Sequence, residues 1–154
     1  MFLGIVSKSI SGSGGGVDFL CLPTEPDFPE GAAAGYQSQS DIFGISYGTT
    51  NRSSNNNTVL CSVCEVTGRS RSIMIPAKSS CPTGWIKEYQ GLLMSQHHSH
   101  SSGYICVATD MQDFSLPTPS NNYGGLYVVE VVCDTLKCPP FIDGYEIGCV
   151  LCTK

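Results

Sequence analysis

Charge is scarce in this 154-residue chain: 14% of residues are Asp, Glu, Lys or Arg, and only eight are basic. With a net charge of −5 there is no basic face to replace phosphate counterions, so nucleic acid is not an expected partner. Long apolar runs are lacking too. VVEVV at 128–132 is broken by Glu130 and far too short to cross a bilayer, so no membrane span is expected. The opening MFLGIV is shorter than a signal-peptide core and runs into Lys8 rather than a small-residue cleavage site, which leaves the start unusual or a signal lost. Also missing are HExxH, GxSxG, a phosphate-binding loop and a dinucleotide fingerprint. Neither an enzyme nor a cofactor is therefore expected.

What the chain does have is punctuation. Seventeen glycines and nine prolines interrupt a sequence that is 41% hydrophobic, which suits short strands and turns better than long helices. Alternation and Val/Ile/Tyr enrichment predict strands at 17–22, 42–47, 58–67, 72–75, 84–93, 103–108, 125–133 and 146–152. GRSRS at 68–72 reads as a hairpin turn, and Gly91 favours a strand over a helix in 84–96. The expected fold class is all-β, with short antiparallel strands.

Nine cysteines suit a disulfide framework, a metal framework or a set of buried thiols. Two N-x-S/T sequons, at Asn51 and Asn56, lie in the polar stretch TTNRSSNNNT and tilt the reading toward a secreted chain carrying N-linked glycans and disulfides. The rival is a four-thiolate zinc site built from the two Cys-x-x-Cys pairs, Cys61/Cys64 and Cys149/Cys152. The 84 residues between the pairs are long for a zinc ribbon, and five further cysteines would remain unexplained. No thioredoxin-like βαβ pattern surrounds either pair.

The chain is written twice. FLCLPTEPDF at 19–28 echoes YICVATDMQDF at 104–114, and each follows a Gly/Ser-rich run, at 11–16 and 99–103. VLCSVCEVT at 59–67 pairs with IGCVLCTK at 147–154, in the same order and at similar spacing, 40 residues from Cys21 to Cys61 and 43 from Cys106 to Cys149. The organisation expected is an unassigned segment 1–10, a first half-repeat 11–76 and a second 77–154. SSCPTGWIKEYQGLLMSQ opens the second half. The first has only MFLGIVSKSI in that place and so lacks an opening strand and one cysteine. That segment, or a strand from a neighbouring subunit, is expected to fill the edge left open. Glu25, Asp27, Asp110 and Asp113 recur with the repeat and read as turn caps rather than a catalytic pair.

CPTGWIKEYQGLLM, YICVATD, NNYGGLYVVEVVCDTLKCPPF and EIGCVLC, with GSGGGVDFLCLP, VLCSVCEV and SIMIPAKSSCP, resemble the C-terminal non-collagenous domain of spongin short-chain collagens. That family is itself similar to the C-terminal domain of type IV collagen. The resemblance spans roughly residues 11–154 and implies a tandem duplication of two pseudo-symmetric, disulfide-rich halves. Two features depart from it: no Gly-x-y repeat precedes the domain, so the chain cannot form a triple helix, and the first half lacks its Cys-Pro turn and strand. The nested pairing of the family implies Cys21–Cys61, Cys81–Cys152, Cys106–Cys149 and Cys133–Cys138. Cys64 is left as a buried free thiol, a cysteine whose partner was lost by truncation, or an intermolecular link.

Other candidates are weaker. His97, His98 and His100 in QHHSHSS could hold a transition metal if a strand put His98 and His100 on one face. Arg69, Arg71 and Lys78 could meet an anionic glycan. Trp85, Tyr89, Tyr104, Tyr123 and Tyr127 could stack on sugars, though such residues more often pack on sheets. The expected role is a secreted, extracellular, non-enzymatic module that self-associates or joins related matrix chains. The alternative is a secreted carbohydrate-binding protein.

Overall fold

A computed structural model of the chain describes residues 1–9, 16–35, 40–48, 57–111, 113–114 and 124–154. Among these described residues the regular structure is eleven strands and no helix: β1 (Phe2–Lys8), β2 (Leu20–Pro23), β3 (Phe43–Gly44), β4 (Ser46–Tyr47), β5 (Thr58–Val63), β6 (Ser72–Pro76), β7 (Ile86–Ser95), β8 (Ile105–Ala108), β9 (Asp113–Phe114), β10 (Gly125–Val128) and β11 (Gly148–Thr153). The fold is all-β and disulfide-rich. Among the described residues no helix is long and apolar enough to cross a membrane.

The strands belong to two compact units that interleave along the chain: residues 1–65, 96–103 and 112–126 form one, and residues 66–95, 104–111 and 127–154 the other.

In the first unit β1 is an inner strand. It pairs antiparallel with β2 (Gly4↔Pro23 through Ser7↔Leu20), with β3 (Ser7↔Gly44) and with β5 (Phe2↔Val63 through Ile5↔Leu60). β4 meets β5 at Ser46↔Thr58, β9 meets β5 at Thr58↔Phe114, and the first two residues of β10 run parallel to β4. Val6, Ile45, Tyr47, Val59 and Leu126 form the core. Lys8 is also buried, its ammonium donating to the Ser101 carbonyl at 3.1 Å and lying 5.8 Å from the Phe19 ring. Leaving water holds its pKa below the usual lysine value.

In the second unit β7 holds the place of β1. It pairs with β8 (Gly91↔Ala108 through Met94↔Ile105), with β11 (Gly148↔Leu92 through Thr153↔Ile86) and with the last two residues of β10. β6 covers the other side of β11, from Cys149↔Pro76 to Thr153↔Ser72. Leu93, Met94, Val131, Cys149, Val150 and Cys152 are buried.

The two sets of pairings superpose residue for residue. Val6 faces Cys21 as Leu93 faces Cys106, and Gly4 faces Cys61 as Gly91 faces Cys149. The agreement extends past the strands. Ile45 N–H donates to the Val6 carbonyl at 2.8 Å, and Val129 N–H to that of Leu93 at 2.9 Å. Tyr47 donates to Asn57 at 3.0 Å, and Val131 to Tyr145 at 2.9 Å. The Ser46↔Thr58 pair has its counterpart in the Glu130↔Glu146 bridge.

Of the two fillers expected for the first half's open edge, it is the chain's own MFLGIVSK that takes the place, as β1, with Gly4-Ile5-Val6 standing where β7 has Gly91-Leu92-Leu93; one further expectation is corrected. What the described part of the first unit lacks is a counterpart of β6 and of the cysteine turn that follows it. Nor do residues 68–72 close a hairpin between β5 and β6, since β6 pairs with β11 instead.

Candidate functional site

Four disulfides are formed: Cys21–Cys61 and Cys106–Cys149, each with Cα atoms 5.8 Å apart, Cys81–Cys152 at 5.9 Å and Cys133–Cys138 at 6.0 Å. Cys64 is a free thiol and is exposed, not buried; its sulfur lies 3.5 Å from the Ser62 hydroxyl. Three of the four sulfurs proposed for zinc, those of Cys61, Cys149 and Cys152, are consumed in cystines and have no thiolate to offer. Multiple disulfides are the mark of folding in an oxidising compartment.

The long cystines have a shaping role. Strands that flank a third strand stand about 9.5 Å apart in a flat sheet. Cys21 on β2 and Cys61 on β5 flank β1, yet their Cα atoms are only 5.8 Å apart, so the ribbon is rolled around β1. Closure happens at Gly4. A Cβ there would run into the Leu22 carbonyl oxygen. Gly91 repeats the arrangement under the Cys106–Cys149 cystine, where a Cβ would strike the Val107 carbonyl.

Rolling leaves an inner and an outer face. Side chains of paired residues share a face and successive ones alternate, so Gly4, Val6, Cys21 and Cys61 lie inside. Leu3, Ile5, Leu20, Leu22 and Leu60 lie outside, with Leu22, Ile5 and Leu60 in one row across three strands. Leu3 is 74% exposed, Leu20 52%, Leu22 37% and Leu60 36%.

In the second unit an open cleft of about 410 Å³ is lined by Lys78, Gln90, Thr109, Phe141, Tyr145 and Glu146, among others. Tyr145 is largely exposed along it.

The histidines are not on a strand. His97–His100 form a turn after β7, closed by His100 N–H donating to the His97 carbonyl at 2.8 Å. The rings of His97 and His98 are 4.0 Å apart, and His97 Nδ1 is 2.9 Å from the Ser99 hydroxyl. Among the described residues no three His, Cys, Asp or Glu side chains are grouped to hold a metal ion.

The basic candidates are dispersed in role. Arg69 is paired with Glu88 at 2.6 Å, and Glu88 also accepts from the Thr153 hydroxyl at 2.5 Å, while Lys78 lines the cleft. Arg71 exchanges backbone hydrogen bonds with Lys154. Tyr89 spends its hydroxyl on the Cys106 carbonyl at 3.0 Å, Trp85 is half-buried in the turn begun by Pro82, and Tyr104 is exposed. Glu25 and Asp110 both fall in the bends that follow β2 and β8. Asn51, Asn56 and Tyr123 lie outside the described residues. Sequence reasoning missed Gly4, Phe141 and Tyr145. Gly4 alone had a signal, an apolar-flanked glycine 17 residues before Cys21 that matches Gly91, 15 before Cys106.

No protein-family model matches this chain, and no solved structure matches its fold.

Proposed function

We propose that the protein is a non-enzymatic building block that associates with copies of itself outside the cell, in a matrix or fibre. The observation that carries this reading is the aliphatic row Leu22–Ile5–Leu60, extended by Leu3 and Leu20, on the outer face of the rolled sheet. A contiguous exposed apolar patch of this kind is characteristic of a protein-binding surface. The cystines support the same role, since a rolled, cross-linked sheet presents that face without rearranging. Resemblance to the spongin-type non-collagenous domain adds the matrix context.

Sedimentation velocity over a concentration series tests the reading. The expected result is a shift to larger species with concentration that added sugars leave unchanged. The double substitution Leu22→Ser/Leu60→Ser should weaken association by at least tenfold, from about 1–2 kcal/mol of burial lost per leucine. A monomer at every concentration overturns it.

The cleft beside Tyr145 favours a second reading, carbohydrate binding, because an aromatic ring beside Gln90, Thr109 and Glu146 matches the chemistry of a sugar site. Its signature is a rise in melting temperature with one specific sugar, abolished by Tyr145→Ala.

A further inference from the structure

The two units share a register but not the residues on it. By the equivalence above, Leu60 of β5 corresponds to Gly148 of β11, Leu3 to Gln90, Tyr47 to Val131 and Asn57 to Tyr145. Where the first unit carries two outer leucines and a buried tyrosine, the second carries bare backbone, an amide and a smaller valine. Gly148, Gln90 and Val131 all line the cleft of about 410 Å³. That volume lies within the range of roughly 300–1,000 Å³ usual for small-molecule sites. The segment that brings Phe141 and Tyr145 to the cleft is held in place. Gly144 N–H donates to the Val131 carbonyl at 2.9 Å, Tyr145 N–H to that of Ile142 at 3.2 Å, and Cys133 N–H to the Asp143 carboxylate at 2.8 Å. A ligand therefore meets rings already in position and does not bear the cost of ordering them.

The polar groups of the cleft are not spent on one another. Lys78 and Glu146 both line it, yet among the described residues the one ion pair is Arg69–Glu88. Gln90 Oε1 accepts from Lys87 Nζ at 3.1 Å, which leaves the two N–H donors of the same amide for another partner. Tyr145, 63% exposed, offers a ring face beside them. We propose that the cleft binds a saccharide carrying a carboxylate, a hexuronic acid residue, with its pyranose ring stacked on Tyr145, its carboxylate accepting from Lys78 and Gln90, and its hydroxyls donating to Glu146. A neutral sugar leaves the Lys78 ammonium without an anion. A sulfated chain calls for a row of cations, whereas Lys78 is the one cation on the described lining, in a chain of net charge −5. The inference rests on the carbohydrate reading of the cleft and names its sugar class; the assembly reading does not depend on it.

The probes are disaccharides of glucuronic, galacturonic and mannuronic acid, each set against the disaccharide of the matching neutral hexose, with binding read by isothermal titration calorimetry. The expected result is one site per chain, and an affinity for at least one diuronide at least tenfold above that for its neutral counterpart. Lys78→Gln should erase the preference and Tyr145→Ala should remove binding; both residues are exposed, so the melting temperature of the free protein should not move. Gly148→Leu, which restores the residue of the first unit, should remove binding by filling the cleft. A Cβ at Gly148 meets nothing nearer than the Gly91 carbonyl oxygen at 3.4 Å, and peptide mapping of Cys106–Cys149 shows whether the sheet is intact. Equal affinity for charged and neutral sugars, or a preference that survives Lys78→Gln, overturns the acidic class and leaves the carbohydrate reading standing. Undiminished binding by intact Gly148→Leu protein overturns the cleft as the site. Absence of binding by all three diuronides overturns the inference, and absence of binding by all six disaccharides removes the carbohydrate reading with it.

Discussion

Gly4 and Gly91 hold the same position in two rolled sheets: each faces a cysteine of the inner face, Cys61 or Cys149, on one side and the end of a short flanking strand on the other. At both, the flanking strand passes so close that a methyl group has no room beside the carbonyl of Leu22 or Val107. Neither residue is a turn glycine. What it provides is space, and the two long cystines close over it.

Gly4→Ala and Gly91→Ala are each expected to destabilise their unit by about 3 kcal/mol or more, because backbone must move and a staple is strained. Gly16→Ala, with nothing within 4 Å of the added carbon, should change stability by no more than about 0.5 kcal/mol. Denaturant midpoints measure all three, and non-reducing peptide mapping shows whether Cys21–Cys61 or Cys106–Cys149 still forms.

The cystines should differ in worth according to the loops they close. Cys21–Cys61 and Cys106–Cys149 span 40 and 43 residues, for which loop entropy gives about 4 kcal/mol each. Cys133–Cys138 spans five residues and should contribute about 2 kcal/mol. Paired Cys→Ser substitutions followed by denaturant unfolding check the ranking. Equal losses would contradict it.

Tyr89 gives the second unit an alkaline weakness. Burial raises its pKa above the ordinary tyrosine value of 10.0. The folded state therefore keeps the phenolic proton longer than the unfolded state. Stability from this group is complete below pH 10 and is lost as pH climbs through the folded pKa. Tyr89→Phe should cost about 1 kcal/mol at neutral pH, for the hydrogen bond to the Cys106 carbonyl, and should flatten the fall in melting temperature above pH 10.

Lys8 has the opposite sign. Its folded pKa lies below 10.5, so over the window between the two values the unfolded chain binds more protons and stability rises with pH. Lys8→Met keeps the apolar stem, removes the buried cation, and should abolish that rise. Melting temperature from neutral pH to 10.5 records it.

Most strands were legible because alternation and glycine/proline punctuation are local signals. β1 was legible only as a segment to fill an open edge: its seven residues hold no cysteine, Gly4 is its one mark shared with β7, and the equivalence becomes plain through the partners it faces, Cys21 and Cys61. β9 is two residues long and below any periodic signal. GRSRS misled because a turn sequence fixes a bend but not which strands pair afterwards. The histidines misled for a related reason: their face depends on an extended backbone, and the chain turns between His97 and His100. Cys64 was legible as the odd cysteine. Its exposure was not, because burial at that place depends on whether a strand covers β5.

The parallel pairing of Gly125 and Leu126 with Ser46 and Tyr47 has a consequence for the order in which the molecule is made. A growing chain emerges from its N-terminus, and β1, β2 and β5 are all available once about residue 63 is free. The Cys21–Cys61 bond can therefore be set while residues 64–154 are still unsynthesised. The sheet they begin has to wait some sixty residues for its last strand, holding a seam open throughout. A cross-link early and a closure late make this a protein whose first-formed part is pinned before it is finished.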